Sequence, residues 1–426
     1  MKRTLITNIG MLATPQGTSA RGGRAQGEIC ILKNAWIFIE NDVIAQVGTG
    51  TAPAAVGVQI INAGGKLVTP GLVDAHTHLI FGGWRQNELA LKLHGAGYLD
   101  ILAAGGGILS TMRATKAASE EQLEAKASAA LDEMLRFGTT TAEAKSGYGL
   151  STEEECKALR VIGNLQKHHV MDIAATFMGA HAVPETYRDN RQGYLDLLCE
   201  EMLPAVQEQG IAEFCDVFCE KGVFSAEESR RILLTGRQYG LLPKIHADEI
   251  EAIGGSELAG EIGAVSAEHL IVIDDAGMAS MARGGTIAMC LPATSFYLGA
   301  TFAPARRMID EFEIPVAMAS DFNPGSCPSL NLQFVMNLGY LKYRMTPEEI
   351  LTAVCPGMKL KVLETTEVSY RCYCSRERVK GALISLGKKE LEEIAAEGET
   401  VHIGCQFCDA DYQFGPEEIQ NLLLEI

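Results

Sequence analysis

The tripeptide His76–Thr77–His78 sets two imidazoles two residues apart inside the apolar run LVTPGLVDAHTHLI. In a strand, residues i and i+2 project from one face, so both rings look the same way. One such pair is a weak sign of a metal site. It gains weight because His181, His246, His269 and Asp321 each fall near the end of a further apolar run. Neutral imidazoles with one carboxylate suit zinc and ferrous iron alike. Ions in such sites activate water for hydrolysis, lowering its pKa from about 15.7 towards 7. A chemically different group lies near the C-terminus: Cys372 and Cys374 in SYRCYCSRERV, then Cys405 and Cys408 in IGCQFCD. Two close thiol pairs brought together can form a closed, tetrahedral thiolate zinc site.

The elements that must position these groups are legible as rhythm. Residues 1–66 hold short alternating pieces, TLITNIGML, CILKNAWIFIEND, VIAQVG and VQIINAGGK, separated by Gly, Asn and Asp turns. They predict a small sheet with too few strands to be comfortable alone. From residue 67 apolar strands alternate with helical stretches. Eight strands are expected: LVTPGLVDAHTHLI, TTTAEAKSGYG, DIAATFMGAHAV, FCDVFCEKGVF, PKIHADEI, AVSAEHLIVI, TIAMCLPATSFYL and IPVAMASDFNPGS. That repetition predicts an α/β fold, a (β/α)8 TIM barrel over residues 67–353, whose active site lies at the C-terminal ends of its strands. Five of the nine histidines then crowd one rim, which packing alone does not explain. His94, His168, His169 and His402 are expected on surfaces or in loops. SEEQLEAKASAALDEMLRFG reads as a helix ending at Gly138. TPEEILTAV reads as one capped by Thr346 with Pro347 at its first position. The pattern breaks at Cys355–Pro356–Gly357, and a third unit is expected over 358–426.

Composition limits the partners. The 426 residues carry a formal net charge of −18 and no basic patch, so nucleic acid and anionic membranes are poor partners. An anionic small substrate remains compatible, because one buried Arg can dominate the field in a cleft. Twelve cysteines in a chain this long are too sparse for a secreted disulfide scaffold. The start MKRTLITNIGMLATPQ has no apolar signal core and no run reaches membrane-spanning length, so a cytoplasmic protein with reduced thiols is expected.

PGLVDAHTHL with later strand-end His, His and Asp resembles the amidohydrolase superfamily. LVDAHTHLIFGG, AGGGILSTMRAT, GTTTAEAKSGYGL, FMGAHAVPETY, KIHADEI, GGSELAGEIGAVSAEHL and SDFNPGS narrow the likeness, over residues 1 to about 353, to the imidazolonepropionase family of histidine degradation. The resemblance implies hydrolysis of the cyclic amide of 4-imidazolone-5-propanoate to N-formimidoyl-L-glutamate, and often a homodimer. It implies His76, His78, His246 and Asp321 as ligands of one Zn²⁺ or Fe ion. It further implies Arg85, Tyr148, His181 and Glu249 as substrate contacts, with Asn323, Gly325 and Ser326 at the glutamate end. Chemistry gives these residues tasks: Asp321 can collect the proton of the attacking water, and Glu249 can pass one to the leaving nitrogen. His269 or the metal itself can meet the developing oxyanion, and Arg85 is a fork for a carboxylate. Plainer roles stand beside these: Arg85 as a solvated loop charge, Tyr148 as loop packing, Glu249 as a helix cap, His181 as a donor to a ligand. No lysine fits a metal-bridging carbamate clearly, Glu220–Lys221 being nearest, so one ion is expected.

The tail, from about 358 to 426, resembles the zinc-binding redox switch of the heat-shock protein 33 family, in which oxidation of cysteines to disulfides releases zinc. That implies Zn²⁺ on Cys372, Cys374, Cys405 and Cys408, both pairs being expected in short β-like pieces around a helical spacer. Neither family pattern is whole: the chaperone's substrate-binding domain is lacking, as are the strands that would complete the small sheet. The tail therefore reads as a joining of unrelated pieces, with a genuine fusion as the alternative. The competing functions are a redox-regulated zinc protein or holdase, a deaminating amidohydrolase, and a chimera with impaired hydrolysis.

Overall fold

The computed structural model describes residues 2–53, 57–95, 106–355, 357, 374–406, 408 and 410–424. Contacts divide the chain into two compact units, Met1–Glu364 and Thr365–Ile426.

In the first unit, β1 (Arg3–Pro15), β2 (Ile29–Glu40), β3 (Val43–Thr49), β4 (Gln59–Asn62) and β5 (Leu67–Val68) form a small sheet in the order β3-β2-β1-β4, with β5 also on β1. The sheet therefore runs past residue 66. Ile9, Leu12, Ala35, Ile37 and Val47 give it a core of its own. Among the described residues β4 pairs on one side only, and its Ile60 and Ile61 are 63% and 45% exposed. Neighbouring side chains on a strand point to opposite faces, so neither face of this edge is covered.

The remaining strands of the unit are β6 (Leu72–Asp74), β7 (Thr139–Lys145), β8 (Asp172–Ala180), β9 (Phe214–Cys219), β10 (Leu242–Ala247), β11 (Ser266–His269), β12 (Ile287–Cys290) and β13 (Val316–Met318). They lie side by side in chain order as one eight-stranded parallel sheet. Just beyond the ends of the first and last, Thr77 bridges Phe322 and the His78 amide donates to the Phe322 carbonyl at 2.8 Å. The architecture is a TIM-type (β/α)8 barrel. Two strands are shorter than their apolar runs suggest. β6 stops at Asp74, before the histidine pair. TIAMCLPATSFYL splits after Cys290, because Pro292 starts the helix Pro292–Leu298, where its missing N–H costs nothing. The expected helix ends are present: Ser119 with Gln122 and Thr346 with Glu349 form capping boxes.

The second unit contains helices Arg376–Ser385 and Lys388–Glu397, the hairpin β14 (Val401–Gly404) and β15 (Asp411–Phe414), and helix Pro416–Leu423. Leu383, Leu391, Phe414, Ile419 and Leu422 form its core. The expected single helical spacer is two helices, divided at Gly387, whose φ of 95° an L-residue rarely adopts.

Candidate active site

His76 and His78 flank the closing bridge at Thr77, so the joint that shuts the barrel also aims both rings into its mouth. His246 lies on β10, and Asp321 follows β13. All four are buried. The Oδ1 atom of Asp321 is 3.6 Å from Nε2 of His76 and 3.5 Å from Nε2 of His78, while Nε2 of His246 is 3.4 Å from Nε2 of His78. Donors about 2.1 Å from one ion in tetrahedral array stand about 3.4 Å apart. Thr294 donates to the other oxygen, Oδ2, at 2.6 Å, leaving Oδ1 for the histidines. Buried Nε2 of His76 and Oδ1 of Asp321 have no hydrogen-bond partner, the state of ligand atoms facing a cation. The residues fit a metal ion. Asp321 and His269 sit in the left-handed backbone region, at φ 54° and 70°, a strain of roughly 1–3 kcal/mol each that such sites commonly hold.

His269 joins the same constellation, its ring lying 5.3 Å from that of His246, with Nε2 3.7 Å from Glu249. Burial pushes the Glu249 carboxyl up to about 7 and the His269 imidazole down to about 3. His181 stacks on His78 with centroids 4.8 Å apart, and its Nδ1 pairs with the Gly147 carbonyl at 3.0 Å. Burial holds it neutral, with a pKa near 3, so its Nε2 is left as an acceptor. Tyr148 is buried 5.1 Å from His181. Arg85 reaches the mouth, its Nε pairing with Glu88 at 3.1 Å and its guanidinium lying over Gly325. Asn323 spends its side chain on its own loop, accepting from the amides of Gly325 and Ser326 at 2.8 and 2.7 Å and donating to the Asp321 carbonyl. Glu220 likewise takes the amides of Ile250 and Glu251 and presents no bridge to a second ion.

Several supporting residues escape a reading by motif. Glu155 accepts the amides of Gly147, Gly149 and Leu150 at 2.9, 2.8 and 2.7 Å, fixing the loop that carries Tyr148. Inside the barrel, Glu143, Lys145, Asp216, Lys244 and Glu268 form a buried charged network beneath the histidines. Their signal was present in the sequence. Parallel barrel strands are covered on both faces, so a charge within one is an anomaly, and Lys244 stands two residues from His246 on the same face.

Chains of the same build are known. Imidazolonepropionase of Alkaliphilus metalliredigens is 51% identical over 360 residues, covering 83% of this chain and 85% of that one. This chain belongs to the imidazolonepropionase family. The namesake of Bacillus cereus strain G9842 is also 51% identical, over 83% of this chain and 84% of its own. The Amidohydrolase family model matches residues 59–100. Among solved structures, guanine deaminase of C. acetobutylicum superposes with a TM-score of 0.57 at 15% identity, covering 84% of this chain and 88% of that one. Ochratoxinase of A. niger also gives 0.57, at 17% identity, covering 83% and 82%. These two share the fold. The Hsp33 protein model matches residues 330–415, which takes in all four tail cysteines and reaches back over helices Leu332–Tyr343 and Pro347–Val354.

In that tail the thiols of Cys374, Cys405 and Cys408 lie within 4.8 Å of one another, and Tyr412 donates to the Cys374 sulfur at 3.0 Å. Cys372 lies outside the described residues. Cys405 follows β14, Cys408 is in the hairpin turn, and Cys374 immediately precedes a helix capped by Ser375, so the described thiols lie at element ends rather than in strands.

Proposed function

We propose that the barrel hydrolyses the cyclic amide of 4-imidazolone-5-propanoate to N-formimidoyl-L-glutamate. The carrying observation is the convergence of His76, His78, His246 and Asp321, three of whose donor pairs (His76–Asp321, His78–Asp321 and His78–His246) lie 3.4–3.6 Å apart, within a chain half identical to curated imidazolonepropionases. Water adds across the carbonyl carbon–nitrogen bond: oxygen joins carbon, the C–N bond breaks, and nitrogen leaves with a proton. His76, His78, His246 and Asp321 would hold one Zn²⁺ or Fe²⁺, which would supply an activated water and Lewis acidity. Asp321 takes the proton of the attacking water. Glu249, with its carboxyl raised to about 7 by burial, keeps a large protonated fraction near neutral pH and donates to the departing nitrogen. His269 faces the carbonyl oxygen as that atom gains charge. Arg85 binds the propionate with its fork, and neutral His181 accepts a ring N–H at Nε2. Asn323 shapes the loop bearing Gly325 and Ser326, whose backbone and hydroxyl receive the glutamate end.

The tail is proposed to hold a Zn²⁺ on Cys374, Cys405, Cys408 and Cys372. No helix among the described residues is long and apolar enough to cross a membrane. A reducing, cytoplasmic setting is proposed because it keeps thiolate ligands competent. The holdase reading has only the tail behind it.

Turnover separates the readings. The chain should convert imidazolone propanoate to N-formimidoyl-L-glutamate without releasing ammonia. Ammonia release would favour a deaminase, and suppression of client aggregation without turnover would favour the holdase.

A further inference from the structure

The network beneath the histidines is more than filling. TIM barrel interiors are normally closed by layers of branched apolar side chains. Here Lys145 is fully buried, its Nζ 2.7 Å from Asp216 and 2.9 Å from Glu143. Lys244 lies 2.8 Å from the same Glu143 oxygen, 3.0 Å from the Ala75 carbonyl and 3.6 Å from Glu268. Thr176 and Ser266 each add a hydroxyl, on Glu143 and Glu268, at 2.5 Å. Desolvating five charges is expensive, and well-packed apolar residues would usually serve stability as well or better. What an apolar core could not do is visible where the network ends. Asp216 Oδ1 meets Nδ1 of His246 at 3.0 Å, and Glu268 Oε2 meets Nδ1 of His76 at 2.6 Å.

We propose that Asp216 and Glu268 are positioning residues of the barrel centre, each binding the Nδ1–H of one histidine so that its Nε2 lone pair faces the shared point. Lys145 and Lys244 hold the two carboxylates in place, coupling β7, β9, β10 and β11 to ligand orientation. The inference rests on the reading of His76, His78, His246 and Asp321 as an ion site. It assigns no contact with substrate to Asp216, Glu268, Lys145 or Lys244. A carboxylate on Nδ1 fixes both the ring's tautomer and its rotation, and raises the basicity of Nε2.

The test uses the full chain, with Zn²⁺ affinity measured against a competing chelator. Barrel-bound ion is identified as the equivalent lost in His78→Ala. Asp216→Asn and Glu268→Gln keep shape and remove charge, and each should weaken barrel Zn²⁺ binding about 10–100-fold. Because either variant can also disturb packing, the unmutated protein supplies a second readout. Nitrogen-15 ring shifts of His76 and His246 in the Zn²⁺-loaded chain should show Nδ1–H and an unprotonated Nε2. Affinities within twofold of the parent in both variants, or ligation through Nδ1, overturn the proposal while leaving the ion site standing. A parent chain with no barrel Zn²⁺ overturns both.

Discussion

The guanidinium of Arg85 lies against the α-carbon of Gly325: a β-carbon built there would meet its Cζ at 2.1 Å and its two terminal nitrogens at 2.2 and 2.4 Å. Gly325 does not have a positive φ, so its backbone tolerates alanine, and the clash falls on a movable side chain. Gly325→Ala should therefore leave thermal stability nearly unchanged while displacing the proposed carboxylate fork. Steady-state kinetics should show KM up about tenfold or more with a smaller change in kcat, the mark of lost substrate binding. A wild-type KM would remove Arg85 from the substrate site.

Glu155 makes a contrasting prediction. Replacing it with alanine strips an acceptor from three buried amides and should cost about 2–4 kcal/mol of stability, read by denaturant unfolding. Glu155→Gln keeps one acceptor oxygen, enough for the Gly149 and Leu150 amides that share Oε1, and should cost less. Because the loop carries Tyr148, both variants should lose activity in the order of their destabilisation.

The raised Glu249 carboxyl gives a pH dependence with a definite sign. As the proton donor it must be protonated, so kcat/KM should fall as pH rises through about 7. Glu249→Gln should lower kcat about 100-fold and flatten that alkaline limb. Activity that climbs steadily through this range would exclude Glu249 as the acid.

Tyr412 bears on the tail. Its hydroxyl, pushed up to about 12 by the hydrogen bond it donates to the Cys374 sulfur, ties up a lone pair of a proposed zinc ligand. Tyr412→Phe should release tail zinc several-fold faster under peroxide, followed with a chromophoric chelator. An unchanged rate would show that the hydrogen bond does not tune the thiol.

Why some of this was legible and some was not follows from how each residue signals. His76, His78, His181, His246, His269 and Asp321 stand out together because they recur at the ends of apolar runs, whereas the choice of His76, His78, His246 and Asp321 as ligands comes from the family resemblance. Capping residues such as Thr346 follow local rules that tertiary packing leaves alone. Asp216 and Glu268 gave no motif; their meaning lies in partners distant in sequence, His246 and His76. Asn323 carries the types expected of a substrate ligand, yet its own loop consumes its hydrogen bonds. TIAMCLPATSFYL misleads because a short apolar run fits strand or helix equally, and only Pro292 marks the change.

Reversible removal of the barrel ion tests the central claim most directly. The full chain should open imidazolone propanoate when the His76–His78–His246–Asp321 site holds one Zn²⁺ or Fe²⁺, fall silent when chelated, and recover on adding one equivalent back. Undiminished turnover by metal-free protein, or none by the fully loaded chain, would contradict the account.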